Sequence, residues 1–174
     1  MCGIAGFYNK NRENFRCDIK KMCDAMKDRG SNAEGIWIED DASLVLGHRR
    51  LSILDLSSGG AQPMLSMQKR YVISYNGEIY NFADIRSELM DKYNIQFRST
   101  SDTEILLEAF ARWGIEKTLA KIKGMYAIAL YDREEKKLYL IRDRMGEKPL
   151  YYGFVNGNFV FASTLNAICS LEDF

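Results

Sequence analysis

The chain has 174 residues, with 24 lysines and arginines balanced by 24 aspartates and glutamates, one histidine and 47% hydrophobic residues. This length and composition fit one folded domain with a sizeable core, and they exclude a largely disordered chain. A formal net charge of zero provides no basic surface for nucleic acid or for an anionic membrane, so neither partner is expected.

The chain opens with a short apolar run bounded by glycine at 3–8, which predicts a buried strand. Asp18 is expected to cap the helix that follows, because apolar residues then recur at helical spacing. That apolar face comprises Ile19, Met22, Cys23 and Met26. Strand-like segments come next at 35–38, 44–46 and 51–54, and a long ordered loop is expected over 56–70.

The dipeptide Asn76-Gly77 separates strand-like segments at 71–75 and 78–80, and by itself it is the standard signal of a hairpin turn. Two helices are expected next, one capped by Asn81 and one begun by a capping box of Ser101 and Glu104. A shorter helix at 116–121 and strands at 125–131, 138–142, 150–154 and 159–162 complete the chain. Many short strands with helices in two clusters predict an α+β domain.

The cysteines and the apolar stretches bear on the cellular compartment. The four cysteines form no Cys-x-x-Cys pair and are too far apart for a zinc motif, so we predict no metal site and a reducing environment. No basic region followed by an apolar one opens the chain, which predicts no signal peptide. Asn156-Gly157 splits the uncharged stretch 149–171 into two alternating segments, typical of a hairpin. We therefore predict a cytoplasmic protein without a membrane span.

Cys2 is the first candidate for chemistry. Removal of Met1, which a small second residue permits, would leave a thiol and a free α-amine on one carbon. Such an amine has an ordinary pKa of about 7.7–8.0 and can accept a proton, whereas a thiol of pKa about 8.5 needs a nearby base. Cys2 could then act as nucleophile and base, with water relaying the proton, and the apolar strand after it would hold it rigidly. On Met-Cys alone, an incidental cysteine is the better interpretation.

Several polar residues suggest a site for an amino acid. Asn76 and Gly77 could form an oxyanion hole from a side-chain amide and a backbone N–H. Arg50 could pair with an α-carboxylate, while Glu78 and Asp102 could receive an α-ammonium. Structural interpretations stay open, with Arg50 as a surface cation and Asp102 as a charge at a helix end.

His48 is the only histidine and therefore the only partner available for a Cys–His dyad. No thiol-protease signature surrounds it, so a structural role is favoured. The loop around Gly59-Gly60 lacks the pattern of a phosphate-binding motif, and no nucleotide site is predicted.

Six segments carry a family signature, in the order MCGIAGFY, GHRRLSILDLSSGGAQPM, YNGEIYNFADIRSEL, TSDTEILLEAFARWG, IKGMYAIALYD and RDRMGEKPLYYG. Together they resemble the class II glutamine amidotransferase domain of asparagine synthetase-like proteins, from Cys2 to about Ile168. The resemblance implies a single domain over 1–174 with the N-terminal nucleophile hydrolase fold. That fold is a four-layer αββα sandwich.

The resemblance also implies an enzyme that hydrolyses the side-chain amide of L-glutamine, with Cys2 attacking to give a γ-glutamyl thioester and ammonia. Asn76 and Gly77 match the oxyanion hole of the family, and Glu78 and Asp102 match its α-ammonium site. Arg50 matches the residue that holds the α-carboxylate. The backbone that follows it would line the site at Leu51, Ser52, Ile53 and Leu54.

Ammonia made in this way would pass to an ATP-dependent synthetase domain, which this chain lacks. The chain is therefore expected to be a fragment or to work with a separate synthetase, and a homodimer is allowed. No cofactor is expected in this domain, since ATP and magnesium belong to the synthetase. Aspartate is the default acceptor and a sugar uronate the alternative; a free-standing glutaminase is a further alternative.

The sequence departs from the family pattern in two places, and the first, an altered loop at 28–32, favours another alternative, a non-catalytic docking or glutamine-sensing module. Where the family reads M-x-H-R-G-P-D-x-x-G, residues 26–35 read MKDRGSNAEG, and loss of the proline is expected to make this loop less rigid. Near the end, Thr164 replaces a glutamate to which we assign no role.

Overall fold

The computed structural model describes residues 1–8, 15–41, 43–52 and 58–171. Within these ranges the chain forms nine strands and five α-helices. The strands are β1 Gly3–Tyr8, β2 Ala33–Ile38, β3 Leu44–Arg50, β4 Met64–Leu65, β5 Tyr71–Ile79, β6 Gly124–Asp132, β7 Lys137–Arg142, β8 Tyr151–Val155 and β9 Asn158–Ala162. The helices are α1 Phe15–Asp24, α2 Phe82–Tyr93, α3 Asp102–Trp113, α4 Ile115–Lys121 and α5 Leu165–Cys169.

The strands form two antiparallel sheets. One has the order β2-β3-β1-β9-β8 and the other the order β4-β5-β6-β7. Helices α1 and α5 contact the outer face of the first sheet, while α3 contacts β5 and carries α2 and α4 beside it. The predicted α+β fold, a four-layer αββα sandwich, is confirmed.

Alternation of side chains along the central strands creates three cores. In β5, Ile73 and Tyr75 face the helices, whereas Val72 faces the first sheet. In β1, Phe7 packs towards α1 and α5, whereas Ile4 joins the core between the sheets. Even-numbered positions near the start of β1 and in β5 therefore point into the same layer.

The predicted element types are largely confirmed, but several bounds differ. Helix α1 begins at Phe15, whose ring packs on the core, so Asp18 lies inside the helix and the predicted cap is wrong. Strand β3 extends to Arg50 because β1 and β2 pair with it on both sides. Of the predicted strand 51–54, Leu51 and Ser52 are not in a strand, and Ile53 and Leu54 lie outside the described residues.

Asn76-Gly77 does not form the hairpin turn that the dipeptide predicts. Strand β5 runs straight through it, and the whole of β5 pairs with β6 from Tyr71–Asp132 to Ile79–Gly124. The long cross-strand pairing overrides the local preference for a turn. Asn156-Gly157, in contrast, has positive φ angles of 47° and 79° and joins β8 to β9, as predicted.

Side-chain caps agree only in part with the sequence patterns. Ser101 accepts a hydrogen bond from the Thr103 N–H, but Glu104 accepts from the N–H groups of Arg98 and Ser99, so the capping box is not closed. Asn81 stands at the start of α2 without a side-chain cap bond and instead bonds to the backbone after α4. Thr164 caps α5 by accepting from the Ala167 N–H at 3.4 Å.

The loop predicted over 56–70 contains two short elements in its described part, a 3-10 helix at Ser58–Gly60 and strand β4. Strand β4 forms because it pairs with Val72 and Ile73 at the open edge of β5. Within the described ranges, no helix combines the length and apolar character needed to cross a membrane.

Candidate active site

Cys2 lies directly before β1, which is flanked by β3 and β9 in the first sheet. Ile4 anchors this end of the strand, because its N–H donates to Ser163 Oγ at 3.0 Å and its carbonyl accepts from the Ser163 N–H at 2.8 Å. The Cys2 sulfur accepts from the Leu51 N–H at 3.4 Å and approaches the Leu51 carbonyl at 3.6 Å. A fixed backbone thus holds the thiol at the chain terminus.

A cavity of about 120 Å³ opens beside the Cys2 thiol. Eight of the ten residues predicted for the site line it: Cys2, Arg50, Leu51, Ser52, Asn76, Gly77, Glu78 and Asp102. The other two, Ile53 and Leu54, lie outside the described residues. Among the described side chains, no three His, Cys, Asp or Glu groups are placed together to hold a metal ion.

The Asn76 side chain supplies an unpaired donor. Asn76 is only 2% exposed, and in the described part of the chain nothing accepts a hydrogen bond from its Nδ2. An orphaned buried donor is costly, by about 1–3 kcal/mol, and calls for an explanation. Its position beside the cavity fits a ligand oxygen as the missing acceptor.

The Gly77 N–H is a second donor at the same place. On β5, the N–H groups of even-numbered residues point to β6, and those of odd-numbered residues point to the open side. There the Tyr75 N–H donates to Gln62 and the Ile79 N–H to Asp102. Gly77, between them, has no hydrogen-bond acceptor in the described chain. A side chain at this position would collide with the Met125 carbonyl oxygen, which explains the glycine.

Asp102 is fixed by residues that the sequence interpretation missed. Its Oδ2 accepts from the Tyr75 hydroxyl at 2.9 Å and from the Ile79 N–H at 3.2 Å. Burial raises the pKa of Asp102, and these hydrogen bonds oppose the increase. Gln62 holds Tyr75 in turn, because its Oε1 accepts a hydrogen bond from the Tyr75 N–H at 2.7 Å. Asp102 is therefore more than an exposed charge at a helix end.

Arg50 and Glu78 supply the opposite charges of the cavity. Arg50 ends β3 and is half-buried, whereas Glu78 is exposed near the end of β5. Ser52 lies between the cavity and the loop 26–35 that departs from the family pattern, since its N–H donates to Asn32 Oδ1 at 3.0 Å. The cavity thus combines a thiol, two N–H donors and side chains of both charges, which is a set that could bind a zwitterionic amino acid.

The altered loop 26–35 packs directly behind Cys2. Arg29 Nε donates to the Cys2 carbonyl at 3.1 Å, and burial lowers the pKa of Arg29. Gly30 lies so close to the backbone of Arg49 that any side chain at Gly30 would collide with it. The substitutions therefore leave Arg29 in contact with Cys2 and Gly30 packed against β3. Lower rigidity of this loop stays a prediction.

His48 is buried away from the cavity, between the sheets. Its Nδ1 lies 3.3 Å from Ser74 Oγ, which donates its own proton to the Gly47 carbonyl at 3.1 Å. The proton between them is therefore on Nδ1. Burial lowers the pKa of His48 to about 3, so the ring is neutral at pH 7. This environment supports a structural role and not a Cys–His dyad.

His48→Asn should remove part of the acid sensitivity of the fold while sparing turnover. Below pH 6.5 an unfolded His48 takes up a proton that the folded chain refuses until about pH 3, so unfolding becomes easier as pH falls. Between pH 7 and pH 5 this group costs the wild type about 2 kcal/mol of stability, which the variant should not lose. Urea unfolding at both pH values measures the difference; a severe loss of glutamine turnover would restore the dyad.

A thiol directly before a strand of an αββα sandwich, beside N–H donors from the second sheet, is the arrangement typical of the N-terminal nucleophile hydrolase fold. A glutamine phosphoribosylpyrophosphate amidotransferase from Bacillus subtilis has the same fold, with a TM-score of 0.83 at 20% identity, over 97% of this chain and 43% of that one. The chain belongs to the glutamine amidotransferase domain family, whose sequence profile matches residues 1–174.

Two curated relatives resemble this chain over nearly its full length. Asparagine synthetase B (glutamine-hydrolysing) of Escherichia coli is 40% identical over 97% of this chain, and asparagine synthetase 3 (glutamine-hydrolysing) of B. subtilis is 36% identical over 99% of it. The chain spans only 30% and 28% of the lengths of these relatives. The resemblance to the amidotransferase domain of asparagine synthetase-like proteins is confirmed.

Proposed function

We propose that this chain is the glutaminase half of an amidotransferase and releases ammonia from L-glutamine through a thioester on Cys2. One observation carries the proposal: the Cys2 thiol and the unpaired Asn76 donor border the same cavity, which also contains Arg50 and Asp102. A nucleophile, an oxyanion donor and paired charges for an amino acid are the groups that this reaction requires.

The first step needs a base, which the chain supplies at its own terminus. After removal of Met1, the Cys2 α-amine takes the thiol proton, directly or through water, and the thiolate attacks the amide carbon of the glutamine side chain. The carbonyl oxygen becomes an oxyanion, which the Asn76 side-chain amide and the Gly77 N–H hold. Both donors are in place before the substrate arrives, so no reorganisation is needed in the transition state.

Collapse of the tetrahedral intermediate returns the proton. The Cys2 α-ammonium donates it to the departing nitrogen, the C–N bond breaks, and ammonia leaves behind a γ-glutamyl thioester. The neutral α-amine then removes a proton from water, which attacks the thioester carbonyl. The C–S bond breaks, glutamate forms, and the thiol is regenerated.

The α-carboxylate and the α-ammonium of glutamine are recognised by side chains of opposite charge. Arg50 pairs with the α-carboxylate, and Asp102 with Glu78 receives the α-ammonium. The ammonium also stabilises the ionised form of Asp102, which burial otherwise disfavours. Leu51 and Ser52 line the path beside the thiol, and the same role is proposed for Ile53 and Leu54.

We further propose that the ammonia passes to an ATP-dependent synthetase domain, in cis or in trans, with aspartate as its acceptor. The names of the relatives, glutamine-hydrolysing asparagine synthetases, support this destination. The glutaminase half-reaction uses no cofactor, and ATP and magnesium are assigned to the synthetase. The free thiols of Cys17, Cys23 and Cys169 support a reducing compartment such as the cytoplasm.

Arg50→Met tests the proposed substrate orientation. Losing a charge-assisted bond worth about 1.5–3 kcal/mol should raise KM for glutamine by roughly 10- to 150-fold, with a smaller change in kcat. Steady-state release of ammonia and glutamate measures both constants. A glutamine analogue without its α-carboxylate is the matched control, because it should be used equally poorly by wild type and variant.

The same assay tests the proposed function as a whole. Wild-type protein with a mass-verified Cys2 terminus should release ammonia and glutamate in equal amounts. Binding of glutamine without any turnover in that sample would instead support the docking or sensing module. Rapid turnover independent of any synthetase would support the free-standing glutaminase.

A further inference from the structure

Lys148 places a buried positive charge in the wall of the catalytic cavity. The residue is only 8% exposed and lines the cavity with Cys2. Its ammonium contacts the Met1 sulfur at 3.7 Å, and it forms no ion pair with a carboxylate of the described residues. A buried lysine without a counter-ion is rare, because burial penalises the charged form. It therefore calls for a role in the site.

The backbone of Lys148 is held firmly in place. Its N–H donates to Asp143 Oδ2 at 3.0 Å, and its carbonyl accepts from Arg142 Nε at 2.7 Å. Asp143 also accepts from the Tyr126 N–H at 3.2 Å and the Glu147 N–H at 2.9 Å, which ties the loop to β6. The buried charge is therefore a built feature of the cavity.

The Lys148 ammonium lies against Met1, the residue that precedes Cys2. The sulfur it touches belongs to Met1, whose carbonyl carbon is bonded to the Cys2 nitrogen. Removal of Met1 creates the free α-amine and also clears the side chain that lies against the lysine. The Lys148 ammonium and the freed α-amine then both border the space that Met1 occupied.

Other charged and titratable groups also surround the Cys2 terminus. They are Arg29 behind the Cys2 carbonyl, Arg50 from β3, Tyr75 and Glu78 from β5, Asp102 from α3, and Tyr151 of β8, which interacts with Arg29. Asp102 already bonds to Tyr75 and Ile79, and in the proposed function both carboxylates serve the substrate ammonium. Of these cations, Lys148 is the one that contacts Met1, the residue bonded to the Cys2 nitrogen.

We propose that Lys148 is a positioning residue that keeps the α-amine of processed Cys2 uncharged, so that this amine can accept the thiol proton. The inference rests on the proposed function. A fixed positive charge disfavours protonation of a nearby amine, and a general base must be unprotonated to work. The lysine thus acts through Cys2 and needs no contact with glutamine.

The test compares Lys148→Met, which removes the charge but keeps the length, with Lys148→Arg, which keeps the charge. Removal of one positive charge from the wall of the cavity in Lys148→Met should raise the pKa of the α-amine by about one unit. The acidic limb of the plot of kcat/KM against pH should move to higher pH by the same amount. Activity near pH 6.5 should then fall about tenfold, with recovery at high pH, while Lys148→Arg should resemble wild type.

An NMR titration of protein labelled with ¹⁵N-cysteine reads the α-amine pKa directly, without turnover. An unchanged amine pKa in Lys148→Met would overturn the proposal. So would an equal loss of kcat/KM at every pH in both variants, as expected for a structural role. A rise in KM without movement of the pH limb would assign Lys148 to substrate binding instead. If wild type fails to hydrolyse glutamine, the proposed function fails, but the titration still decides the role of Lys148.

Discussion

Cys2→Ala should abolish release of ammonia from glutamine, with kcat falling by about three orders of magnitude or more. On the proposed function, the variant lacks the sulfur atom that forms the thioester. Stability should change little, because the Ile4–Ser163 hydrogen bonds that anchor the strand use neither the thiol nor its carbon. Ammonia and glutamate release, measured together with thermal unfolding, checks both statements.

Matched controls separate this effect from general loss of thiols. Cys17→Ala and Cys169→Ala remove exposed cysteines outside the cavity and should retain wild-type turnover. Protein that retains Met1 should be nearly as inactive as Cys2→Ala, because its Cys2 nitrogen is an amide and cannot act as a base. Glutamine hydrolysis by Cys2→Ala at the wild-type rate would disprove the thioester mechanism.

Asn76→Ala should lower kcat by roughly 100- to 1,000-fold and leave KM nearly unchanged. The loss corresponds to about 2.7–4 kcal/mol of transition-state stabilisation, the usual effect of removing one oxyanion donor. The folded chain should lose little stability, because the Asn76 Nδ2 has no hydrogen-bond partner to give up among the described residues. Steady-state kinetics and urea unfolding of the same preparation measure the two quantities.

Ser74→Ala is the matched control, two residues earlier on the same face of β5. Ser74 bonds to His48 and to the Gly47 carbonyl, so its loss should cost about 1–3 kcal/mol of stability. Turnover should be retained, because Ser74 lies outside the cavity lining. The oxyanion role of Asn76 would be refuted if its replacement lowered kcat no more than Ser74→Ala does.

The α+β class could be predicted from the sequence because most strands and helices have a periodic pattern, and the four-layer arrangement was implied by the family resemblance. The bounds could not, since they depend on partners distant along the chain. β3 extends to Arg50 because β1 and β2 pair along it, and β5 continues through Asn76-Gly77 because β6 does. In both cases tertiary pairing decided where the element ended.

The charged and nucleophilic residues of the candidate site could be found from sequence because they lie in segments that resemble one family, whereas each residue alone left a structural interpretation open. Tyr75 and Gln62 were missed. Tyr75 holds Asp102 and Gln62 holds the Tyr75 backbone in β5, and neither role leaves a signal in the sequence. Lys148 was missed for a different reason. A lysine is expected at the surface, and only the structure reveals its burial beside Met1.

The contact between Met1 and Lys148 links removal of Met1 to the state of the cavity. On the proposed function, a chain that retains Met1 is inactive, because the Met1 side chain lines the cavity against Lys148 and the Cys2 nitrogen is part of a peptide bond. Removal of Met1 by an aminopeptidase would free the Cys2 amine and clear the Met1 side chain from Lys148 in one step. On the proposed function, the cell's glutamine is protected from this domain until the initiator residue has been removed.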